Sequence, residues 1–374
     1  MERVIHTPEG VRDIYGEECA RKRALQKALH KVLASYGYED IETPTFEFFD
    51  VFSREIGTIP SKDLYKFFDR DGNTLVLRPD FTPSIARAAA RYFMEEDRQE
   101  TLRLCYQGNT FLNSASYQGR PREVTEVGVE MMGDASADSD GEILAMTVDL
   151  LKAAGLKDFQ VSVGQVDFFK SLLEEAQMPA EAVEELRELI SSKNNFGVEE
   201  CVRRQHLSQE LTNVFAQMPH LFGGMEILEK ARTMTNNEKA LASIGRLEEI
   251  YHILEMYGCS QYIAFDLGML SKYKYYTGIL MQAFTYGTGQ PLIKGGRYNQ
   301  LLAYFGKSCP SIGFTLVMEH LMNALSRQGI ETPLEEKKEA ISYDQDNRRQ
   351  AIEQAVAMRR EGKCVALQRK GMLL

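Results

Sequence analysis

Two carboxylates flank a glycine in the segment TEVGVE, residues 125–130. The alternation around it predicts a strand, in which Glu126, Gly128 and Glu130 share one face. The two carboxylates would lie about 13 Å apart at roughly 3.3 Å per residue, too far for the acid pair of a glycosidase. They would form an acidic floor with room above the glycine, suited to a cationic or donor-rich ligand. The alternative is a solvated strand face.

A second candidate is the segment YYTG, residues 275–278. Neighbouring strand residues point to opposite faces, so Tyr275 and Tyr276 could direct one hydroxyl into a cavity and the other ring into the core. Two core aromatics are the simpler alternative. Further along, KGGRYNQLL (294–302) places two glycines before a predicted helix, where backbone N–H groups could bind an anion. A tight strand-to-helix turn explains that pattern equally well.

The motifs of common catalytic sites are missing from the sequence, which has no P-loop, HExxH, GxSxG or GxGxxG pattern. The six cysteines include no CxxC pair and no nearby histidine at zinc-ligand spacing, so we expect free, mostly buried thiols. None of the six histidines is obviously paired with Ser or Cys. We therefore expect no nucleophilic triad, no metal and no cofactor.

The elements that must position these residues follow from periodicity. Apolar residues spaced by three and four predict a helix over 17–36, and Gly37 is placed to end it. The segment NTLVLRPDFTPSIARAAARYF (73–93) predicts a strand at 74–77 and then a helix. Its start is predicted from Thr82 as the N-cap and Pro83 at the first helical position.

The chain alternates between strand-rich and helix-rich regions. Further strands are predicted at 102–111, 122–132 and 159–164. A hairpin is predicted around the Gly-Thr-Gly of 287–289, and the tail predicts a single strand–helix–strand unit. The expected organisation is a core over 1–166 and 258–330, an all-helical insertion over 167–257, and a short βαβ unit over 335–374.

Composition places the chain among globular proteins, because its 374 residues are 44% hydrophobic and 26% charged. No apolar run approaches the roughly 18–20 residues that span a bilayer, and the first residues do not resemble a secretory signal. We therefore expect a cytoplasmic protein without a membrane segment. A net charge of −10 disfavours a dedicated nucleic-acid binder, whose affinity depends on Lys and Arg at phosphates.

In order along the chain, TPEGVRD, LRPDFT, GRPREVTEVGVE, YYTG and GGRYNQLL followed by SIGFTLVMEHL resemble the core motifs of class II aminoacyl-tRNA synthetases, specifically the histidyl-tRNA synthetase lineage. The likeness covers about residues 1–330. It implies an α+β fold in which helices flank an antiparallel sheet with a pocket on it. It also implies a homodimer built on this core.

Four positions depart from the catalytic pattern of that family. Where the family has an Arg for the ATP α-phosphate followed by a Glu, this chain has Leu112 and Ser114. Where motif 3 ends in an Arg for the γ-phosphate, it has His320, and the Arg of the histidine-specific loop is replaced by Ser271. Removing one oriented electrostatic stabiliser typically costs about 10²- to 10³-fold in rate. We expect adenylate formation to be abolished.

The amino-acid side of the family's pocket is retained. The resemblance assigns Asp80 and Thr82 to an α-ammonium group and Glu130 to an imidazole, with Tyr275 and Tyr276 as the tyrosine pair. Glu126 replaces a Gln of the family. The residues expected to bind histidine are therefore Asp80, Thr82, Glu126, Glu130, Tyr275 and Tyr276.

This profile resembles the branch of the lineage that serves as regulatory subunits of ATP phosphoribosyltransferase, and LRPDFTPSIAR resembles that branch's pocket loop. The likeness implies a non-catalytic partner of the short catalytic subunit, in a hexameric or octameric type of complex, that senses histidine in the first step of its biosynthesis. The short tail also fits, because one βαβ unit cannot supply a multi-stranded anticodon-binding domain. The alternative is a histidyl-tRNA synthetase or a tRNA-binding relative, although tRNA is not the expected partner.

Overall fold

A computed structural model describes residues 5–53, 59–93, 100–113, 121–271, 275–333 and 339–370. The α-helices are α1 (Gly16–Ser35), α2 (Asp50–Ser53), α3 (Thr82–Tyr92), α4 (Ala137–Ala153), α5 (Val166–Ala176), α6 (Ala180–Ser191), α7 (Asn195–Arg204), α8 (Gln209–Gln217), α9 (Met225–Arg232), α10 (Glu238–Met256), α11 (Met318–Arg327) and α12 (Arg348–Arg360). None of these helices combines the length and the apolar character that a bilayer crossing needs.

The strands of the described residues form three sheets. They are β1 (Glu39–Asp40), β2 (Phe46–Phe48), β3 (Lys66–Phe68), β4 (Thr74–Leu77), β5 (Leu102–Phe111), β6 (Glu123–Met132), β7 (Phe159–Gln165), β8 (Phe222–Gly223), β9 (Ile263–Asp266), β10 (Ile279–Thr285), β11 (Ile293–Arg297), β12 (Ser311–Val317), β13 (Glu339–Tyr343) and β14 (Val365–Arg369). The largest sheet has the order β1-β5-β6-β12-β11-β10-β7-β9-β8.

The nine-stranded sheet is antiparallel from β5 through β7, with parallel pairs only where β1 joins β5 and β9 joins β7. Helix α4 packs against β7, β10 and β12, and α11 packs against β6 and β12. The buried side chains of α4 include Ile143, Leu144 and Leu150, each 0% exposed. The predicted α+β fold, an antiparallel sheet flanked by helices, is confirmed.

The chain between β7 and β9 is helical, from α5 to α10, as the sequence pattern indicates. Side-chain caps begin α7, α8 and α10, because Asn194, Ser208 and Asn237 each accept a backbone N–H of the following turn. One two-residue strand, β8, interrupts this segment and pairs with β9 at the sheet edge. The prediction of an all-helical segment is therefore wrong at this short strand and agrees with the structure elsewhere in the segment.

The chain divides into two compact units, one of residues 1–13 and 26–330 and the other of residues 14–25 and 331–374. In the second unit, β13 and β14 pair in parallel, with α12 between them in the chain. The predicted single βαβ unit is therefore present. The proposed boundaries at 166, 257 and 335 stay predictions.

The start of α3 differs from the prediction that Thr82 is its N-cap. Phe81 holds the cap position in a helical backbone conformation, and Thr82 is the first helical residue. The Thr82 hydroxyl donates to a carboxylate on β6 instead of capping the helix. A residue far away in the sequence, Glu130, therefore binds the Thr82 side chain that was predicted to cap the helix.

Candidate functional site

A cavity of about 250 Å³ lies between the start of α3 and the sheet strands β6, β11 and β12. It is smaller than the roughly 300–1,000 Å³ typical of sites for drug-sized ligands, so it suits a smaller molecule. The six residues assigned to histidine binding by resemblance all line it: Asp80, Thr82, Glu126, Glu130, Tyr275 and Tyr276. Residues from three separate chain segments thus meet at one place.

Glu130 is the most deeply buried carboxyl of this cavity, with 1% of its surface exposed. Its Oε1 accepts the Thr82 hydroxyl at 2.6 Å, and its Oε2 accepts the Tyr298 hydroxyl. Burial raises the pKa of the Glu130 carboxyl to about 8, against the opposing effect of those two hydrogen bonds. The alternative of a solvated strand face is therefore wrong for Glu130.

A glycine on the neighbouring strand leaves space for the Glu130 carboxyl. Gly313 on β12 is the register partner of Glu130, and a Cβ there would lie 1.9 Å from Glu130 Oε2. The space above Gly128 is filled, because a Cβ there would lie 2.3 Å from the Tyr106 hydroxyl oxygen. The predicted room above Gly128 thus holds Tyr106, whereas Gly313 admits the glutamate.

Two further carboxyls share the electrostatics of the cavity. Burial and the neighbouring Asp80 raise the pKa of Glu126 to about 8, while the Arg78 guanidinium opposes the shift. Burial also raises the pKa of Asp80, whose Oδ1 accepts the Thr82 backbone N–H at 2.9 Å. A cation that enters the cavity would lower these raised pKa values, because an opposite charge nearby favours the ionised carboxylate.

The tyrosine pair lies before β10 and not within a strand, so the prediction of opposite strand faces is wrong. The two ring centroids of Tyr275 and Tyr276 are 4.4 Å apart, with 33° between the ring planes. Tyr275 is 8% exposed and belongs to a core cluster that also includes Tyr298. Both interpretations of this pair, as cavity residues and as core aromatics, therefore hold in part. Both rings line the cavity, and Tyr275 is also a core residue.

The double glycine also differs from the prediction. Gly295 and Gly296 lie inside β11, where they pair with β10 on one side and β12 on the other. Their N–H groups therefore do not sit at a helix N-terminus, and the anion-binding reading is wrong. The sheet needs small residues here, since a Cβ on Gly295 would lie 2.3 Å from the Gly313 carbonyl oxygen.

The described positions that depart from the family's catalytic pattern lie in two different cavities. Leu112 and His320 line the 250 Å³ cavity, and His320 Nδ1 lies 3.0 Å from the Pro291 carbonyl oxygen. Ser271 lines a different cavity of about 240 Å³, which it shares with Tyr276. Ser114 lies outside the described residues.

Three residues near the carboxyls were not predicted as site residues. Tyr298 bonds to Glu130, and Lys294 is a cationic residue of the cavity lining. Arg78 donates to the carbonyl oxygens of Thr43 (2.7 Å) and Asn109 (3.0 Å), so backbone acceptors hold its guanidinium. The motifs LRPD and KGGRY contain all three, but sequence spacing alone does not show which side chain reaches the cavity.

A second buried carboxylate lies elsewhere in the same unit. Asp140 on α4 is 1% exposed, and Arg297 on β11 and Arg246 on α10 both approach it to 2.7 Å. Arg297 also donates to the Asp134 carbonyl and the Ser139 hydroxyl. These residues therefore cross-link α4, α10 and the sheet through charge-assisted hydrogen bonds.

Comparison with known proteins defines the class of protein first. The family model described as "Histidyl-tRNA synthetase" matches residues 10–321, and the chain belongs to that family. A histidyl-tRNA synthetase structure from a Nostoc species has a TM-score of 0.82 at 18% identity, covering 99% of this chain and 87% of that one. That likeness shows the shared fold.

Within the family, the chain belongs with the proteins named "ATP phosphoribosyltransferase regulatory subunit". The relative of that name from Ruminiclostridium cellulolyticum is 42% identical over 96% of this chain and 85% of its own length. The one from Acetivibrio thermocellus is 38% identical over 98% of this chain and 87% of its own length. A crystal structure from Bacillus halodurans, titled as an ATP phosphoribosyltransferase regulatory subunit/histidyl-tRNA synthetase, is 33% identical with a TM-score of 0.89, covering 100% of this chain and 95% of that one.

Proposed function

We propose that this chain is a non-catalytic regulatory subunit of ATP phosphoribosyltransferase and that its cavity binds histidine as the feedback signal. Its partner in this proposal is the short catalytic subunit, joined in a hexameric or octameric type of complex in the cytoplasm. A homodimer of the synthetase-like core would be the building block. The names of relatives at 42% and 38% identity support the regulatory role.

The observation that carries histidine binding is the composition of the cavity lining. Its described residues include three carboxyls and three tyrosines, but one lysine and no arginine. Nucleotide phosphates need cationic or N–H donors, whereas an ammonium group and an imidazole N–H need acceptors. The lining therefore favours a small cationic or donor-rich ligand over ATP.

The individual roles proposed here come from the family resemblance, and the geometry of the cavity supports them. Asp80 and Thr82 stand together at the start of α3 and are proposed to bind the α-ammonium group. Glu130 is proposed to accept an imidazole N–H, with a tyrosine ring of the 275–276 pair beside it. An imidazole N–H would compete with internal partners of Glu130, because one hydroxyl already bonds to each of its oxygens. We therefore expect moderate affinity.

Leu112 and His320 support the absence of adenylate chemistry, because both stand in the lining where the resemblance places phosphate-binding arginines. The rival function is that of a histidyl-tRNA synthetase, which the name of the matching family model favours. Pyrophosphate exchange with ATP, magnesium and histidine separates the two. We expect no exchange above background, and exchange at a synthetase-like rate would exclude the regulatory proposal.

The test of ligand binding is a thermal and calorimetric titration of the whole chain with histidine, using leucine and glutamine as controls. A ligand that binds only the folded state adds about 2.7 kcal/mol of stability at 100 times its Kd, so the Tm should rise measurably. Histidinol keeps the imidazole and the amine and should compete. Glu130→Gln should remove the response, whereas Glu123→Gln, on the opposite face of β6, should keep it.

Partner function is measured separately, by titrating the short catalytic subunit with this chain and recording phosphoribosyltransferase turnover with and without histidine. We expect turnover to rise with the chain and fall again with histidine. Unchanged turnover would exclude the partner. Stimulation without a histidine effect, together with no response in the titration, would exclude only the sensing role.

A further inference from the structure

Three side chains with metal-ligating atoms converge at the β1 edge of the nine-stranded sheet. They are His30 on α1, Asp40 on β1 and Cys105 on β5, and their ligand atoms all lie within 4.8 Å of one another. His30 Nε2 lies 2.9 Å from Asp40 Oδ2, and Cys105 Sγ lies 3.6 Å from Asp40 Oδ1. Among the described residues this is the one such group of three.

The backbone holds two of these ligands in register. Asp40 and Cys105 are Cα partners in the parallel pair of β1 and β5, and the Ile41 N–H donates to the Cys105 carbonyl at 2.9 Å. Register partners place their side chains on the same sheet face. The third ligand comes from a separate helix, so the group joins α1 to the sheet.

The donor set indicates which metal class would bind. Imidazole, carboxylate and thiolate are all zinc ligands, at bond lengths of about 2.0–2.3 Å. Such bonds place the donors of a tetrahedral site roughly 3.3–3.7 Å apart, so the observed 2.9 and 3.6 Å need only sub-ångström shifts. A sulfur ligand disfavours magnesium and calcium, which prefer oxygen.

Access to the group is open on one side. The Asp40 side chain is 66% exposed and that of His30 is 38% exposed, whereas Cys105 is 1% exposed. A metal could enter from the solvent side, with the thiol as the innermost ligand and water in the fourth position. We propose that His30, Asp40 and Cys105 form a binding site for a zinc-class divalent metal that links α1 to the sheet edge.

The competing explanation is an ordinary surface ion pair of His30 and Asp40. The chain contains a matched example, because His252 Nδ1 lies 2.9 Å from Glu255 Oε2 on an exposed helix turn. That pair belongs to no three-ligand group among the described residues. The cysteine is therefore what distinguishes the proposed site. Burial raises the pKa of the Cys105 thiol to about 12, so a metal would have to displace its proton.

The test is titration of the metal-stripped, reduced chain with Co²⁺, followed by competition with Zn²⁺. We expect one equivalent to bind with a thiolate-to-cobalt charge-transfer band and tetrahedral visible absorption, and Zn²⁺ to abolish both. Cys105→Ser should remove the charge-transfer band. Asp40→Asn, in which the thiol remains, should weaken binding by more than about tenfold, the least that loss of an outer partner usually costs.

Two control variants keep the experiment decisive. Cys364→Ser removes an exposed thiol and His252→Ala removes the matched ion pair, and both should bind Co²⁺ like the parent chain. Circular dichroism of each variant confirms folding before titration. No stoichiometric binding would overturn the proposal, as would a charge-transfer band that persists in Cys105→Ser or an affinity unchanged in Asp40→Asn.

Discussion

Glu130 and Asp140 are equally buried, at 1% exposure, yet the protein balances their charge in different ways. Asp140 is held by two arginines, and the guanidinium groups oppose the rise in its pKa that burial causes. Glu130 is held by two hydroxyls, and its pKa is about 8. A paired charge serves structure, whereas an acceptor without a bonded cation suits a site whose cation arrives with the ligand.

The comparison predicts the largest loss of stability at the arginine pair. Arg297→Met would leave Asp140 buried with only Arg246, and removing one partner of a buried pair costs about 3–5 kcal/mol. Urea unfolding of parent and variant measures the difference. Arg246→Met, at a partly exposed position, should show a smaller loss of the same sign if the first variant does not fold.

The control for that series is Arg349→Met, since the Arg349 side chain is 92% exposed and pairs with Glu353 on the surface of α12. We expect no measurable change there. A loss at Arg297 no larger than at Arg349 would show that the Asp140 network is not structural.

The next largest effect is expected at the glycine that admits the Glu130 carboxyl. In Gly313→Ala the new Cβ would lie 1.9 Å from Glu130 Oε2 and 2.4 Å from the Val129 carbonyl oxygen, which is backbone and cannot turn away. Overpacking of this kind costs about 1–3 kcal/mol, and the histidine response should be lost with it. Gly289→Ala, with nothing within 4 Å of the new Cβ, should match the parent in both measurements.

The pH dependence of stability should reveal the unpaired carboxyl. Glu130 titrates near 8 in the folded chain and at the ordinary value of 4.5 when unfolded, so between these values the native state keeps a proton that the unfolded state has lost. The stability contributed is complete below about pH 4.5 and is lost as the pH rises to about 8. The loss approaches about 1.4 kcal/mol per pH unit for one proton.

Glu130→Gln should remove the part of the slope that Glu130 contributes, because glutamine does not titrate, whereas Glu126, whose pKa is also raised to about 8, should keep its own part. Unfolding of parent and variant between pH 5 and 8 gives the difference directly, and Glu123→Gln serves as the same-strand control. Parallel pH profiles for the parent and Glu130→Gln would mean that Glu130 is already ionised in the native state.

The smallest change in stability is expected at the Ser84 hydroxyl, two residues after Thr82 on α3. Ser84 on α3 is 0% exposed, and its Oγ has no hydrogen-bond partner among the described residues. Ser84→Ala should therefore be neutral or stabilising by up to about 1 kcal/mol. Thr82→Val removes the hydrogen bond to Glu130 and should cost about 1–3 kcal/mol. If Thr82→Val and Ser84→Ala change the thermal stability by the same amount, the hydrogen bond from Thr82 to Glu130 does not stabilise the fold.

Local patterns predicted most elements of this chain. The β5, β6 and β7 strands, the long α1 helix and the single βαβ unit were all readable from periods of 2 and 3.6, because neighbours in sequence set those patterns. The patterns failed where a distant partner decided the outcome. The Thr82 hydroxyl bonds to Glu130 instead of capping α3. The double glycine lies within β11, where the neighbouring strands leave no space for Cβ atoms.

The sequence by itself determined the class of fold, the family resemblance and the residue types of the candidate site. It could not determine that Tyr298 bonds to Glu130, that Ser271 lines a separate cavity, or that His30 meets Cys105. These are contacts between residues far apart in the chain, and no local period encodes them. Only the register of the sheet strands and the packing of helices on them bring such side chains within a few ångströms, and the same burial raises the carboxyl pKa values.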